Sequence, residues 1–320
     1  MSAGPGTALA GVDVGGGGVR VAARCGGSEV RAEDTAAVPR VRGGIDVPRL
    51  VPRILDLLRE ATHRSGTERF DRVAVGLTGL PDLVEDPEEL VRLLRSGFPV
   101  GDVLLAADAL TTHAGALGGR PGVVVAAGTG SVALGTDLHR LWRRTDGWGY
   151  LLGDRGSGAW IGQEGLRRAL LALDGLPGGS AALLARAERS FGGVRELEVR
   201  VYRGEDATSS LLASFSPEVA EAAREGDAVA RRIWREAGTH LGETAAAAAS
   251  PGLERTFSWG GRLFDAGALV SDPFRAAVLR RVPDARLVDP AGDALDGALA
   301  LAAAEGPLAH RPPYLFRHDA

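Results

Sequence analysis

Two segments of the sequence repeat the same order of residue types, and this repeat limits the fold more than any other feature. The first covers residues 7–23 and the second 122–135, and each is a β-branched run, a glycine-rich turn and another apolar run. That order is typical of a β-hairpin. A third strand is predicted after each hairpin, at residues 29–37 and 138–143. Two copies of a three-stranded start indicate an internal duplication and so two related domains.

Helical and strand patterns alternate between the copies, as in an α/β fold with a mixed sheet. We predict helices at residues 51–63, 87–94 and 109–117, and buried strands at 73–77 and 103–107. After Gly156 we predict helices at 158–173, 181–191, 217–249, 273–281 and 294–304, and strands at 255–259 and 285–288. Glycine and proline at residues 118–122 suggest a connector. The predicted domains are therefore residues 1–118 and 119–320, the second with a helical insertion.

Composition excludes several kinds of site. All 37 basic residues are arginine, so the chain has neither a P-loop lysine nor a Schiff-base lysine. The net charge of −4 gives no electrostatic reason to expect nucleic acid or a membrane as a partner. Cys25 is the only cysteine, which rules out an internal disulfide. Because the sequence has no long apolar run and no basic leader, we expect a cytoplasmic protein.

Each predicted hairpin turn has the composition of a phosphate-binding loop. Glycines without side chains let backbone N–H groups converge on an anion. The candidate ATP-binding residues are Asp13, Gly15, Gly16 and Gly17 in the first turn and Gly128, Thr129, Gly130 and Ser131 in the second. Asp13 is also the candidate for holding Mg²⁺ through water. The alternative is that both are ordinary glycine-rich hairpin turns.

Asp108 follows the strand predicted at 103–107 and opens a helix. Open α/β sheets place their ligands at the carboxyl ends of the strands. A carboxylate there could accept the proton of a substrate hydroxyl that attacks a phosphoryl group. The alternative is a helix N-cap, a role that aspartate favours.

A third block, residues 146–158, is too rich in glycine for a helix and too aromatic for a flexible linker. Trp148 could pack on the apolar face of a sugar ring. Asp154 could accept hydrogen bonds from sugar hydroxyls or lie near the metal. The alternative is that Trp148 is a core aromatic and that Asp154 caps the helix predicted from Gly158.

Two small-residue pairs lie near the C-terminus. Gly260–Gly261 follow a predicted strand and could let a flat adenine lie against bare backbone. Gly297–Ala298 lie in the last predicted helix and could let helices approach closely.

Taken in order, these motifs resemble one family. They are DVGGGGVRV from Asp13, GLTGL from Gly76, ADALTTHAGAL from Ala107, VVAAGTGSVALG from Val124, DGWGYLLGDRGSGAWIG from Asp146, WGG from Trp259 and DGALALA from Asp296. The chain resembles the N-acetylglucosamine kinases of the BadF/BadG/BcrA/BcrD-type ATPases, within the actin–hexokinase–heat-shock-chaperone superfamily. The resemblance implies two ribonuclease-H-like domains around an interdomain cleft that holds ATP and Mg²⁺. It also implies transfer of the γ-phosphoryl group to a hydroxyl of a small amino sugar, such as N-acetylglucosamine or glucosamine.

The resemblance also assigns roles to individual residues. Asp108 matches the catalytic base, and Thr78 and Gly79 match a pair in the sugar pocket. Further matches are Trp148, Gly149, Asp154 and Arg155 in the substrate-side loop and Gly260 and Gly261 in the adenosine motif. The implied partner is a small sugar, and the resemblance is compatible with a homodimer.

Three departures from the family pattern bear on function. The chain has no asparagine to contact a sugar, which argues against N-acetylglucosamine itself as the substrate. Gly17 and Gly18 stand where the family usually has Thr-Lys, and Arg155 replaces an acidic residue. Arg155 suggests an acidic or phosphorylated substrate, and the substitutions together suggest the alternative function, a catalytically weak, ATP-binding regulator of the same fold. A reductase-activator ATPase is set aside, because its shared iron–sulfur cluster needs four thiolates and two copies of this chain supply two.

Overall fold

The computed structural model describes residues 7–15, 17–41, 44–80, 84, 86–203, 208–304 and 310–319. The chain forms two compact units. The first comprises Met1–Val124, Thr136–Trp142 and Asp289–Ala320, and the second comprises Val125–Gly135 and Arg143–Val288.

The first unit is built on a six-stranded mixed sheet. Its elements are β1 (Leu9–Gly15), β2 (Gly18–Cys25), β3 (Ser28–Asp34), β4 (Arg40–Val41), β5 (Gly44–Ile45), α1 (Val47–Ser65), β6 (Phe70–Leu77), α2 (Pro87–Gly97), β7 (Val100–Ala107), α3 (Asp108–Leu117), and, from the end of the chain, α11 (Ala294–Ala303) and β13 (Leu315–His318). The strand order is β13-β7-β6-β1-β2-β3, with β1, β6 and β7 parallel to one another. The first predicted hairpin and its third strand are confirmed.

Helix α1 shows how local sequence sets an element of this unit. The Asp46 side chain accepts the backbone N–H of Arg49, and Gly66 ends the helix in the left-handed conformation. The apolar face of α1 is buried in the same core as the inner faces of β1 and β2. Burial of that face, rather than helix propensity, holds a helix of this kind in place.

Helix α11, near the end of the chain, packs closely against the rest of the first unit at glycines whose missing side chains allow the contact. A Cβ at Gly297 of α11 would overlap the carbonyl of Thr111 in α3, and one at Gly11 of β1 would overlap the backbone of Leu299. Close approach of helices at Gly297–Ala298 is therefore confirmed. The sequence places residues 289–320 with the second domain, whereas here they pack in the first unit, because α11 fits against α3 and β13 pairs with β7.

The second unit combines a five-stranded sheet with most of the helices. Its elements are β8 (Gly122–Ala127, which begins in the first unit), β9 (Ser131–Thr136), β10 (Trp142–Asp146), α4 (Gly158–Leu173), α5 (Ala181–Phe191), α6 (Val194–Arg203), α7 (Thr208–Ala213), α8 (Ser216–Arg224), α9 (Ala228–Ala248), β11 (Thr256–Gly260), a 3₁₀ helix (Arg262–Ala266), α10 (Ala268–Arg281) and β12 (Arg286–Leu287). The strand order is β10-β9-β8-β11-β12.

Three predicted elements of this region have the wrong bounds. The helix predicted at 273–281 begins at Ala268. The single helix predicted at 217–249 is two helices, because Gly226 has a φ of 107° and Asp227 caps a new helix by accepting the N–H of Ala230. The strand predicted at 138–143 lies at Trp142–Asp146 instead, because Asp137 organises a turn before it. Among the described residues, no helix is both long and apolar enough to cross a membrane.

His113 of α3 gives the first unit a pH-dependent stability. Its side chain is fully buried, and its Nε2 donates to the carbonyl of Gly122 at 3.1 Å. Burial lowers the pKa of His113 from 6.5 to about 4. The unfolded chain therefore binds the proton more readily, so the stability is present above pH 6.5 and is lost as the pH falls toward 4.

We expect wild-type protein to lose up to about 3 kcal/mol of unfolding free energy from this group between pH 7.5 and pH 4. The variant His113→Gln keeps an amide donor but cannot titrate, so it should lose less over the same interval. Chemical denaturation of both proteins at several pH values measures the difference. Parallel pH profiles would show that His113 does not carry this effect.

Candidate active site

Three predicted site segments of the first unit meet at one sheet edge. In the parallel register Val14 pairs with Leu77, and Leu77 with Ala107. The next residues along these strands are Gly15, Thr78 and Asp108. The backbone N–H of Thr78 donates to Val14 O at 3.0 Å, and Gly79 follows with a φ of 72°. The carboxyl ends of β1, β6 and β7 thus bring the first turn, the Thr-Gly pair and the predicted base to one edge.

The N-cap interpretation of Asp108 is wrong. The cap of α3 is Ala107, which makes no side-chain capping bond, and Asp108 is the first helical residue. The side chain of Asp108 is partly buried and has interactions of its own. A carboxylate in the first turn of a helix is stabilised by the helix dipole, which suits a base that must be ionised.

Asp13 lies in a charged triad that sequence analysis missed. Arg20 donates to Asp13 Oδ2 from Nη2 at 2.7 Å and from Nε at 3.1 Å, and to Asp293 Oδ2 from Nη1 at 2.6 Å. Asp13 and Arg20 face each other across β1 and β2, so the hairpin register was the available signal. Burial raises the pKa of Asp13, the bond from Arg20 opposes this, and Asp293 adds to it.

The first turn explains one departure from the family pattern. Gly18 has a φ of 112°, and a Cβ there would overlap the carbonyl of Asp34. A lysine could not occupy this backbone, so the missing cation is a steric requirement of the β2–β3 pairing. Gly17 is exposed in the turn, and Gly16 lies outside the described residues. Arg20 of the same hairpin places a cation beside Asp13.

The second turn rests on the start of α4. The N–H groups of Gly158 and Ala159 donate to the carbonyls of Gly128 and Thr129 at 2.8 and 3.0 Å. Gly128 N–H also donates to Gly130 O at 2.9 Å. These bonds from the first N–H groups of α4 to the carbonyls of the turn hold the backbone of the turn in place.

The two hydroxyls of the second turn differ. The Ser131 hydroxyl is buried and donates to the carbonyl of Arg155 at 3.2 Å, so it is engaged within the protein. Thr129 is exposed. The backbone and the Thr129 side chain of this turn are therefore accessible, whereas the Ser131 hydroxyl is not.

Asp154 lies against the second turn. Its carboxylate accepts the backbone N–H groups of Ser131 and Gly149, and a Cβ on Gly130 would lie 2.7 Å from Asp154 Oδ2. Burial raises the pKa of Asp154, and the nearby Asp146 raises it further. Ser157, not Asp154, caps α4, so the cap interpretation of Asp154 is wrong.

The side chains of Trp148 and Arg155 have different neighbours. Trp148 is 69% exposed, with the Arg144 guanidinium 5.3 Å from its ring centre, so it is not a core aromatic. The Arg155 guanidinium donates to His240 Nδ1 at 2.7 Å and lies 3.5 Å from Glu243. Burial, and then the charge of Arg155, lower the pKa of His240. Contact of either side chain with a sugar stays a prediction.

The Gly260–Gly261 pair lies beside the second turn. Strands β8 and β11 are neighbours, and Gly261, with a φ of 93°, has no room for a Cβ against Ala127. Ala127 immediately precedes Gly128. The second unit therefore brings two of its predicted nucleotide segments together, whereas Trp259 packs in the core against Phe264 and Phe274.

Mg²⁺ and ATP require different ligands from a site of this kind. Within the described ranges, no cluster of three or more His, Cys, Asp or Glu side chains could enclose a metal. Mg²⁺ usually keeps several waters and takes one or two carboxylates, so Asp13 fits it if Arg20 shares the carboxylate. The rigid backbone of the second turn and the bare Gly261 fit a nucleotide.

Comparison with known proteins identifies the class of fold. A solved structure of a candidate N-acetylglucosamine kinase from Chromobacterium violaceum is 28% identical, with a TM-score of 0.70 over 93% of this chain and 100% of that one. A ROK-family glucokinase from Streptomyces griseus, solved with glucose and AMPPNP, has a TM-score of 0.58 at 20% identity, over 92% and 99% of the chains. The fold is the mixed α/β fold of sugar kinases of the actin–hexokinase type.

The sequence pattern of the BadF/BadG/BcrA/BcrD ATPase family matches residues 10–302, so the chain belongs to that family. The N-acetylmuramic acid/N-acetylglucosamine kinase of Clostridium acetobutylicum is 30% identical over 197 residues, which are 60% of this chain. The match spans 63% of that relative's length.

Arg20 should control the ionisation of Asp13. Because Arg20 lowers the pKa of Asp13 through its hydrogen bonds and charge, Arg20→Gln should raise that pKa further. Carboxyl ¹³C NMR titration measures the shift. The matched control is Arg24→Gln on the same strand, where Arg24 pairs with Glu29 instead. An unchanged Asp13 pKa in Arg20→Gln would show that the triad does not act in solution.

Proposed function

We propose that this chain is an ATP-dependent sugar kinase that transfers the γ-phosphoryl group to a hydroxyl of a small amino sugar. The observation that carries the proposal is the sheet edge where Asp108, Thr78 and the first glycine turn follow three adjacent parallel strands. Family membership and the kinases among the similar proteins support it.

In this proposal the protein binds ATP mainly through backbone. Thr129 and Gly130 offer N–H groups from a turn bonded to the start of α4, whereas the N–H of Gly128 donates to Gly130 O and shapes that turn. Gly260–Gly261 receive the adenosine. Gly15 and Gly17 contribute from the first turn. Asp13 holds Mg²⁺ through water, and the ion, when bound, neutralises charge that develops on the phosphate oxygens. Arg20 supplies a second positive charge near that carboxylate.

Asp108 acts as the base. Its carboxylate accepts the proton of the sugar hydroxyl as that oxygen attacks the γ-phosphorus and the bond to the β-phosphate oxygen breaks. Thr78 and Gly79 lie at the same sheet edge and orient the sugar. Trp148 covers the apolar face of the ring, since its indole is exposed and an aromatic ring can pack on the apolar face of a sugar. A two-domain cleft with a boundary near residue 118, and a homodimer, stay predictions.

The base is tested by Asp108→Asn. We expect kcat to fall by about 10²- to 10⁴-fold with ATP binding retained, because only the proton acceptor is lost. Asp102→Asn is the matched control: Asp102 lies on β7, the strand that leads to Asp108, and pairs with Arg72 and Arg317. Coupled ADP release with N-acetylglucosamine, glucosamine, N-acetylmuramic acid, hexoses and uronic acids measures turnover.

Two outcomes would overturn these assignments. Full activity in Asp108→Asn would remove the base. Tight ATP binding by wild-type protein with no turnover of any sugar in the panel would instead favour the ATP-binding regulator that the Gly17, Gly18 and Arg155 departures suggest.

Arg155 should affect the choice of sugar. A guanidinium on the substrate-side loop attracts an acidic substituent, so we expect wild-type protein to favour N-acetylmuramic acid over N-acetylglucosamine. Arg155→Glu should shift the ratio of the two kcat/KM values by roughly three- to tenfold toward the neutral sugar. Arg280→Glu is the control, since Arg280 pairs with the same Glu243. Equal shifts in both variants would assign the effect to general surface charge.

A further inference from the structure

Asp146 lies at the end of β10 and closes the loop that carries Trp148 and Asp154. Its Oδ1 accepts the backbone N–H groups of Gly147 and Asp154, each at 2.8 Å, and its Oδ2 accepts that of Arg155 at 2.9 Å. A single buried carboxylate thus joins the two ends of a ten-residue loop. Hydrogen bonds to an ionised acceptor are roughly twice as strong as neutral ones.

Backbone conformation at both ends of this loop is unusual. Asp146 has a φ of 63° and Asp154 a φ of 52°. Residues other than glycine rarely adopt this region, and such strain persists only where the surroundings hold it. Here the three N–H bonds to the Asp146 carboxylate hold it, together with the bonds from the Arg144 guanidinium to the carbonyls of Asp146 and Gly147.

The loop connects directly to the second glycine turn. The Asp154 carboxylate accepts the N–H of Ser131 and lies against Gly130. The Arg155 carbonyl accepts the Ser131 hydroxyl. Asp146 bonds the backbone N–H of both Asp154 and Arg155, so its carboxylate sets the position of both contacts to the turn.

We propose that Asp146 is a positioning residue for phosphoryl transfer: through Asp154 and Arg155 it holds the Gly128–Ser131 turn in its phosphate-binding geometry. The proposal rests on the proposed function, because it takes that turn as the ATP site. A displacement of about 1 Å in such a site costs on the order of a hundredfold in rate.

The chain contains a matched control for the same kind of bonding. Asp137, in the turn between β9 and β10, accepts the N–H groups of His139, Arg140 and Leu141 with one oxygen at 2.9, 2.7 and 2.8 Å. The turn of Asp137 follows the last residue of β9, whereas the glycine turn comes before the first residue of β9, so the two turns lie at opposite ends of that strand. Asp137→Asn therefore removes the charge from a similar bonded turn that does not contact Ser131.

The variants are Asp146→Asn and Asp146→Gly in the full chain. Asparagine tolerates the left-handed backbone and keeps one carbonyl oxygen, but its amide cannot accept the N–H of Arg155. Glycine tolerates the backbone and removes all three acceptors. We expect kcat/KM for ATP to fall by about tenfold in Asp146→Asn and by about a hundredfold in Asp146→Gly, with KM for ATP raised and Asp137→Asn near wild type.

Hydrogen exchange gives a readout that does not need turnover. We expect the amides of Ser131 and Gly149 to exchange faster in both Asp146 variants and at the wild-type rate in Asp137→Asn. Unchanged exchange at those amides, or a loss of stability with KM for ATP unchanged, would overturn the proposal. Faster exchange in a protein whose wild type binds no ATP would support the role of Asp146 in the loop while the proposed function fails.

Discussion

The contact of α11 with α3 and β1 is the constraint on which the first unit depends. Three glycines, Gly11, Gly115 and Gly297, let the backbones approach so closely that a Cβ at any of them would overlap a neighbour. This packing places the N-terminus of α11 beside the first hairpin. Its cap residue Asp293 then binds Arg20, which binds Asp13. A helix near the far end of the chain thus supplies one of the two carboxylates that bind Arg20 beside the first predicted phosphate segment.

The second unit also has to hold a glycine-rich turn in one geometry, and it does so through different contacts. The geometry of its glycine turn comes from the start of α4, the Asp154 carboxylate and the close approach of Gly261. Carboxylates that accept several backbone N–H groups can hold a tight loop without a large hydrophobic core. In both units, glycines are required because another backbone or a carboxylate occupies the space of a side chain.

Most helices and strands were predictable from the sequence, and the predictions that were wrong have identifiable physical reasons. Periodicity and capping predicted α1, α4 and α5, because those signals are local. The helix break at Gly226 was missed because the alanine-rich pattern continues on both sides of it. Strand β13 was missed because its pairing with β7 is long-range. Among the site residues, Arg20 and Asp146 lie within the glycine-rich motifs, but their roles were missed because those roles depend on partners that only the fold brings into contact.

The sequence by itself determined the two glycine hairpins, the alternation of strands and helices, and the order of motifs that identifies the family, because each depends on residues close together in the chain. Only the tertiary structure decided what the carboxylates do. It showed that Asp108 and Asp154 are not helix caps, that Ser131 turns inward, and that Asp13 is held by Arg20. A carboxylate is the same in every sequence position, and only its folded neighbours decide whether it caps, binds or holds a loop.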